Sequence, residues 1–162
     1  MRGAHQSLHC PPPLCITTLW KQGLRVFEKT MGEPDWVVFH VSLWDISNMD
    51  KAAVIGDHPF IAQYKGQLVE RLEDIDRCKP ANTRVALRTA PHMAWGGNAM
   101  LSLNTVIREV AQERKLPLLD YDLAAWGLGT SEAELFRDAN HPNVRVSTAF
   151  ANSIVADLAP KV

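Results

Sequence analysis

Two kinds of apolar pattern alternate along this sequence. Short, nearly continuous runs rich in β-branched residues are typical of strands covered on both faces. They fall at 36–43, 84–89 and 116–120. Longer segments, in which apolar residues recur at i, i+4 and i+7, predict amphipathic helices. These fall at about 20–31, 57–78, 98–114 and 143–158.

Helices therefore alternate with strands, and each crossover is long enough for a right-handed parallel connection. The expected fold class is α/β, with three layers in the order α/β/α around a parallel sheet. Residues 1–13 are polar and then proline-rich, which favours an irregular or disordered lead. Residues 14–162 are expected to form a single domain. The strand around Val38 is expected to be an exposed edge through which the chain self-associates.

Composition narrows the classes of function. The 162 residues are 46% apolar and 22% charged, with a net charge of −1, so no basic surface for nucleic acid is expected. No apolar stretch is long enough for a membrane span. The three cysteines, Cys10, Cys15 and Cys78, form neither a paired disulfide framework nor a complete metal site by their spacing. The sequence leaves the localisation open.

Chemically distinctive residues follow the predicted strands. Parallel sheets bind ligands beyond the carboxyl ends of their strands. The segments 42–45, 88–92 and 95–98 follow the first two strands, and 138–142 precedes the last helix. These loops are expected to converge on one crevice.

The spacing Asp138-x-x-His141 is typical of a carboxylate and an imidazole that contact each other across one turn. Across one turn the carboxylate can accept a hydrogen bond from the imidazole Nδ1–H, which leaves Nε2 free as a general base for a hydroxyl nucleophile. Pro142 would stiffen the exit from this turn and could open the last helix. The alternative is that Asp138 or Asn140 merely caps that helix.

Together these segments resemble a known family. Residues 34–46 are similar to the third conserved block of the SGNH/GDSL-type hydrolases. The Leu-Trp-Asp within them is similar to the sequence of the PC-esterase-like branch. Residues 87–92, 104–121 and 138–142 resemble that branch's later segments in the same order. The resemblance implies an SGNH/flavodoxin-like fold. It also implies a serine ester hydrolase or O-acyltransferase that acts on small or carbohydrate acyl esters, with no cofactor and no metal.

The sequence departs from the family in two places. No Gly-Asp-Ser, the block that carries the nucleophile, occurs in it, and Gly56-Asp57 is followed by His58. The domain is therefore expected to be N-terminally incomplete. Ser42-Leu-Trp-Asp45 aligns with the family's Gly-x-Asn-Asp, so that Trp44 replaces the oxyanion-hole asparagine. The alternative function is a catalytically inactive glycan-binding or truncated module.

Eight residues are predicted to form the site. Asp138 and His141 are the predicted catalytic pair. The predicted oxyanion or substrate-binding residues are Ser42, Trp44, Arg88, His92, Trp95 and Asn98. Arg88 could equally form an ion pair with Asp45 or Asp138. A weaker alternative is a metallohydrolase site built on His92, His141 and Asp138. His40, within the first strand, is expected to be a core histidine whose ring is fully hydrogen-bonded.

Overall fold

A computed structural model describes residues 32–40, 59–92, 97–129, 131–138 and 141–159. Three strands form a parallel sheet in the order β1-β2-β3. They are β1 (Trp36–His40), β2 (Arg84–Arg88) and β3 (Leu118–Leu119). The helices are α1 (Pro59–Cys78), α2 (Gly97–Glu113), α3 (Tyr121–Trp126), α4 (Glu132–Leu135) and α5 (Val144–Leu158). The predicted lead (1–13), first helix (20–31) and end of the first strand (41–43) lie outside the described residues.

The strands are in a register that aligns their carboxyl ends. Trp36 pairs with Arg84, and His40 pairs with Arg88 at the other end of the same two strands. Arg88 in turn pairs with Leu119 of β3. Residues that follow β2 and β3 therefore leave the sheet at one edge, where parallel sheets place their sites.

Helices pack on both faces of the sheet, which confirms the expected three-layer α/β/α class. One face, with Val37, Val85 and Leu87, packs against the apolar sides of α1 and α2. The other face, with Ala86 and Leu119, packs against residues of α3, α4 and α5. Alternation along β2 sends successive side chains to opposite cores, because neighbouring residues of a strand point to opposite faces.

The three long helices, α1, α2 and α5, form close to the predicted ranges. Their position could be predicted because each carries apolar residues at helical spacing over four or more turns. The fully buried positions include Leu68, Leu72, Leu103, Ile107 and Val146. The predicted last strand was too long, since only two of its residues pair. The short helices α3 and α4 were not predicted. The Asp120 carboxylate accepts the Leu123 N–H at the start of α3.

The last helix has a different cap from the one considered in the sequence. The Asn143 side chain accepts the Val146 N–H at 3.0 Å and is the N-cap of α5, as asparagine commonly is. Pro142 does not open the helix, because it lies before the cap in an isolated antiparallel bridge with Phe136. Among the helices in the described ranges, none is long and apolar enough to cross a membrane.

Candidate active site

The direction of α5 places the residues before it at the carboxyl edge of the sheet. The Trp36 indole N–H donates to the carbonyl of Leu158 at 2.9 Å, so the end of α5 lies beside the start of β1. Arg88, at the carboxyl end of β2, lies 5.6 Å from the ring of Phe150, which comes earlier in α5. The helix therefore runs antiparallel to the strands. Its 15 residues extend about 22 Å, which exceeds the roughly 16 Å of a five-residue strand. Its N-terminus consequently reaches the opposite, carboxyl edge.

The loop before α5 is held closed by backbone hydrogen bonds. The Arg137 N–H donates to the carbonyl of His141 at 3.0 Å, and the Asn143 N–H donates to that of Leu135 at 2.9 Å. Phe136, which bridges to Pro142, is buried and anchors the loop in the core. The turn that carries Asp138 and His141 is therefore fixed at both of its ends.

Within this turn, Asp138 and His141 form the contact that their spacing predicts. His141 Nδ1 lies 2.9 Å from Asp138 Oδ1 and 3.0 Å from Oδ2. The backbone N–H of His141 also donates to Asp138 Oδ1, at 2.9 Å. The carboxylate thereby holds the imidazole with Nδ1 protonated and Nε2 available. The side chains of His141 and Asp138 are 60% and 50% exposed, so the pair is accessible from solvent.

A second aspartate–histidine pair, which the sequence did not predict, lies at the same edge. His92 Nδ1 is 2.6 Å from Asp122 Oδ1, and the His92 backbone N–H donates to the same oxygen at 2.8 Å. The His92 ring stacks on Trp126 with centroids 4.6 Å apart. The Trp126 indole N–H donates back to the carbonyl of His92 at 3.0 Å. His92 is thus fixed on three sides.

Arg108 of α2 connects this pair to the end of β3. Its Nε and one terminal nitrogen donate to both oxygens of Asp120, at 2.7 and 2.9 Å, and that nitrogen also donates to Asp122 at 3.0 Å. The Thr89 hydroxyl donates to Asp120 at 2.9 Å. Burial acts to raise the pKa of Asp120, but hydrogen bonds from Arg108, the Leu123 backbone and Thr89 outweigh it and hold the pKa below its ordinary value.

The segment that leaves β2 is fixed by a buried side chain of α2. The Asn104 amide donates to the carbonyl of Ala90 at 2.7 Å, and its oxygen accepts the Ala90 N–H at 3.1 Å. Because Ala90 lies two residues before His92, these two hydrogen bonds help to fix the position of the His92 backbone. Asn104 lies in the predicted helix 98–114, but nothing in its local sequence marks it as an anchor for a strand end.

The two aspartate–histidine pairs are connected by packed rings. Trp126, which stacks on His92, has its ring 6.5 Å from that of Phe136. Phe136 belongs to the bridge that closes the turn of Asp138 and His141. Both pairs therefore belong to the carboxyl edge of the sheet.

Arg88 and His40 end neighbouring strands at this edge. The Arg88 guanidinium lies 5.6 Å from the ring centroids of Tyr121 and Phe150, and it forms no ion pair with a described carboxylate. The considered ion pair with Asp138 is therefore absent; Asp45 lies outside the described residues. The expectation for His40 was wrong, because its buried Nδ1 has no hydrogen-bond partner among the described residues.

The remaining predicted site residues divide into two groups. Asn98 is exposed near the start of α2. Ser42, Trp44 and Trp95 lie outside the described residues. Within the described ranges, no three histidine, cysteine, aspartate or glutamate side chains come together as a metal site. His92, His141 and Asp138, all within the described ranges, do not form such a group.

Solved structures with a similar fold were found, whereas no protein-family model and no curated protein sequence matches the chain. An acetylxylan esterase from Geobacillus stearothermophilus superposes with a TM-score of 0.63 at 16% identity, over 90% of this chain and 66% of that protein. The chain shares its fold. It thus spans just under two thirds of the esterase's length.

Two further structures agree with this assignment of fold. LAE5, an alpha/beta hydrolase from the metagenome of Lake Arreo, has a TM-score of 0.60 at 19% identity, over 88% of this chain and 66% of that one. A Bacteroides fragilis protein, provisionally named an acylhydrolase, has a TM-score of 0.55 at 20% identity, over 85% and 68% of the two chains.

Several structures of the Geobacillus esterase carry single substitutions. Three of them are described as catalytic mutants, with alanine in place of an aspartate, of a histidine three positions after that aspartate, and of a serine. In that esterase, therefore, an aspartate and a histidine at this spacing are named as catalytic.

Proposed function

We propose that this chain is a domain of an SGNH-type serine ester hydrolase or O-acyltransferase that acts on small or carbohydrate acyl esters. The observation that carries the proposal is the hydrogen bond of Asp138 to His141 Nδ1, at 2.9 Å, on a closed turn at the carboxyl edge. The similar acetylxylan esterase supports it, since its catalytic aspartate and histidine have the same spacing.

In this proposal His141 moves the proton. Its Nε2 takes the proton of a serine hydroxyl as the oxygen attacks the acyl carbonyl, and then gives it to the departing alcohol. Asp138 keeps Nδ1 protonated and stabilises the imidazolium that forms in between. His141 then takes a proton from water or from a sugar hydroxyl as that oxygen attacks the acyl-serine. The acyl group leaves the serine for the new oxygen, which gives hydrolysis or acyl transfer, and His141 returns the proton to the serine oxygen.

The other predicted residues would bind the substrate and the oxyanion. Arg88 ends β2, the middle one of the three described strands. His92 and Asn98 follow the same strand, before and at the start of α2. Ser42, Trp44 and Trp95 complete the predicted set.

The nucleophile is the part that this sequence does not supply in the family's form, because it contains no Gly-Asp-Ser. This absence favours a second candidate function, an inactive glycan-binding or truncated module that retains the turn of Asp138 and His141. The two functions differ in whether a serine completes the site.

Hydrolysis of p-nitrophenyl acetate separates the two functions. The sequence as given should turn over at background rate, because a base without its nucleophile retains only weak binding and electrostatic effects. The same chain extended along the genomic reading frame upstream of Met1 should hydrolyse the ester if that extension contains Gly-Asp-Ser. His141→Ala should then lower kcat by at least about a thousandfold, whereas Asp157→Asn, an exposed carboxylate on α5, should leave it unchanged.

Three other outcomes would change the conclusion. An extended chain that carries the serine but has no activity would favour the inactive module. Activity that survives in His141→Ala would remove the role assigned to that residue. Activity of the sequence as given that depends on His141 would contradict the missing nucleophile and would make Ser42 the hydroxyl to test.

A further inference from the structure

The charge of Arg88 is not matched by any described acidic group. The neighbouring carboxylates, Asp120 and Asp122, are both engaged by Arg108. Arg88 instead lies over Tyr121 and Phe150, whose rings are stacked with centroids 3.8 Å apart. Contacts of a cation with aromatic rings stabilise the cation only modestly. They do not replace the carboxylate partner that a buried cation normally has.

Two buried nitrogen atoms, one of Arg88 itself and one of His40, have no hydrogen-bond partner among the described residues. Arg88 Nε is fully buried and has no acceptor among the described residues. Burial lowers the pKa of Arg88 from its ordinary value, and Tyr121 only partly opposes that effect. His40, paired with Arg88 in the sheet, likewise has a buried Nδ1 without a partner. Buried polar groups without partners are rare in folded proteins and call for an explanation such as a ligand.

His40 contributes no positive charge of its own at neutral pH. Burial, followed by the charge of Arg88, lowers the pKa of His40 to about 4, although a backbone hydrogen bond with Arg88 opposes this shift. The imidazole is therefore neutral and can exchange one more hydrogen bond with a ligand. The site offers one fixed cation beside one neutral polar ring, on the face of the sheet that packs against α5.

We propose that Arg88, with His40 beside it, binds a carboxylate that belongs to the ester substrate, so that this site selects acidic esters such as those of sugar acids. A guanidinium matches a planar carboxylate with two parallel hydrogen bonds. Because Arg88 is always charged, it does not need the reaction to begin before it can act. It can therefore bind an anion that the substrate already carries. That the bound carboxylate belongs to a substrate rests on the proposed function, but the binding itself does not require a nucleophile.

The experiment titrates the whole chain with glucuronate, and with glucose as the neutral counterpart, at constant ionic strength. Saturable shifts of the backbone amide signals of Arg88 and Tyr121 are expected with glucuronate and not with glucose. Arg88→Met should weaken binding about ten- to a hundredfold, the range for loss of a charge-assisted bidentate contact. The matched control is Arg145→Met, an exposed arginine of α5, which should bind like the wild type.

Stability provides the second readout. Arg88→Met removes an unpaired, half-buried charge while it keeps the apolar stem, so its melting temperature should not fall. Should that variant fail to fold, Arg88→Lys keeps the charge without the planar fork and should bind glucuronate more weakly than the wild type.

Two results would overturn the inference: no saturable binding of glucuronate by the wild type, or equal affinity in Arg88→Met. If glucuronate does not bind but Arg88→Met lowers kcat on a neutral ester, Arg88 serves the oxyanion and only this inference fails. If glucuronate binds but no ester is hydrolysed by the extended chain, the anion site stands and the proposed function fails.

Discussion

Removal of Arg108 should destabilise the fold, because this one side chain holds two carboxylates at the edge of the sheet. Arg108→Met would break three hydrogen bonds, two to Asp120 and one to Asp122. Loss of one partner from a buried ion pair costs about 3–5 kcal/mol. The Arg108 side chain is 35% exposed, and solvent screening reduces such an interaction, so we expect a loss of about 2 kcal/mol.

Urea denaturation measures this loss. With a slope of about 2 kcal/mol per molar urea, the midpoint should fall by about 1 M. Lys65→Met is the matched control, since Lys65 also contacts two carboxylates, Glu109 and Glu113, at 3.3 and 2.7 Å. Those contacts lie on the exposed surface between α1 and α2, where ion pairs contribute little. The midpoint of Lys65→Met should therefore stay near that of the wild type.

The difference between the wild type and Arg108→Met should also depend on pH. The pKa of Asp120 is lower in the folded chain than its ordinary value, which is about 3.9 for an unfolded aspartate. The stabilisation that follows from this shift is therefore fully present above that pH and is lost as the pH falls through the folded pKa. Equal midpoints for Arg108→Met and Lys65→Met at neutral pH would refute the reasoning.

Three further predictions concern the same edge and the sheet beside it. Asp138→Asn and His141→Ala should each shift the free energy of unfolding by less than about 1 kcal/mol, because exposed loop positions cost little; thermal melting decides this, and a collapse would make the pair structural. Nitrogen NMR should find that the neutral form of both His92 and His141 carries its proton on Nδ1, and a neutral ring protonated on Nε2 instead would contradict the geometry. The chain should self-associate in light scattering through β1, where Val38 is 38% exposed, and Val38→Lys should reduce this; a wild-type monomer at high concentration would contradict it.

The sequence predicted those features of the fold that repeat along the chain. The buried stripe of Leu103, Val106 and Ile107 is visible in the sequence because a helix buries every third or fourth residue. Helices α3 and α4 have six and four residues, too few for such a period to be recognised. The two-residue strand β3 was overestimated because the apolar run at 116–120 begins two residues before the pair, at Leu116 and Pro117.

The candidate site was predictable only where its contacts are local. Asp138 and His141 are three residues apart, so their contact can be read from spacing alone. His92 and Asp122 are 30 residues apart, and their contact depends on β2 and β3 being neighbours in the sheet. One signal was nevertheless present: Asp120 ends the predicted third strand and Asp122 closely follows it. The expectation that strand-end residues converge applies to them as it does to His92.

The two aspartate–histidine pairs have nearly the same hydrogen-bond geometry, and their surroundings determine what each can do. Asp122 is 5% exposed and His92 28%, and Arg108 and Trp126 hold the two partners in place. A histidine that moves protons must reach both nucleophile and leaving group, which favours a ring with an open Nε2 side.

The ring of His141, 60% exposed, meets that requirement, and it lies on a turn whose backbone is closed by its own hydrogen bonds. Rigid support beneath an accessible imidazole is the arrangement that general-base catalysis needs. The pair of His92 and Asp122 instead lies where β2 and β3 end and is held in place by Arg108 and Trp126. We therefore propose that His141, and not His92, transfers the proton and that Asp122 positions His92.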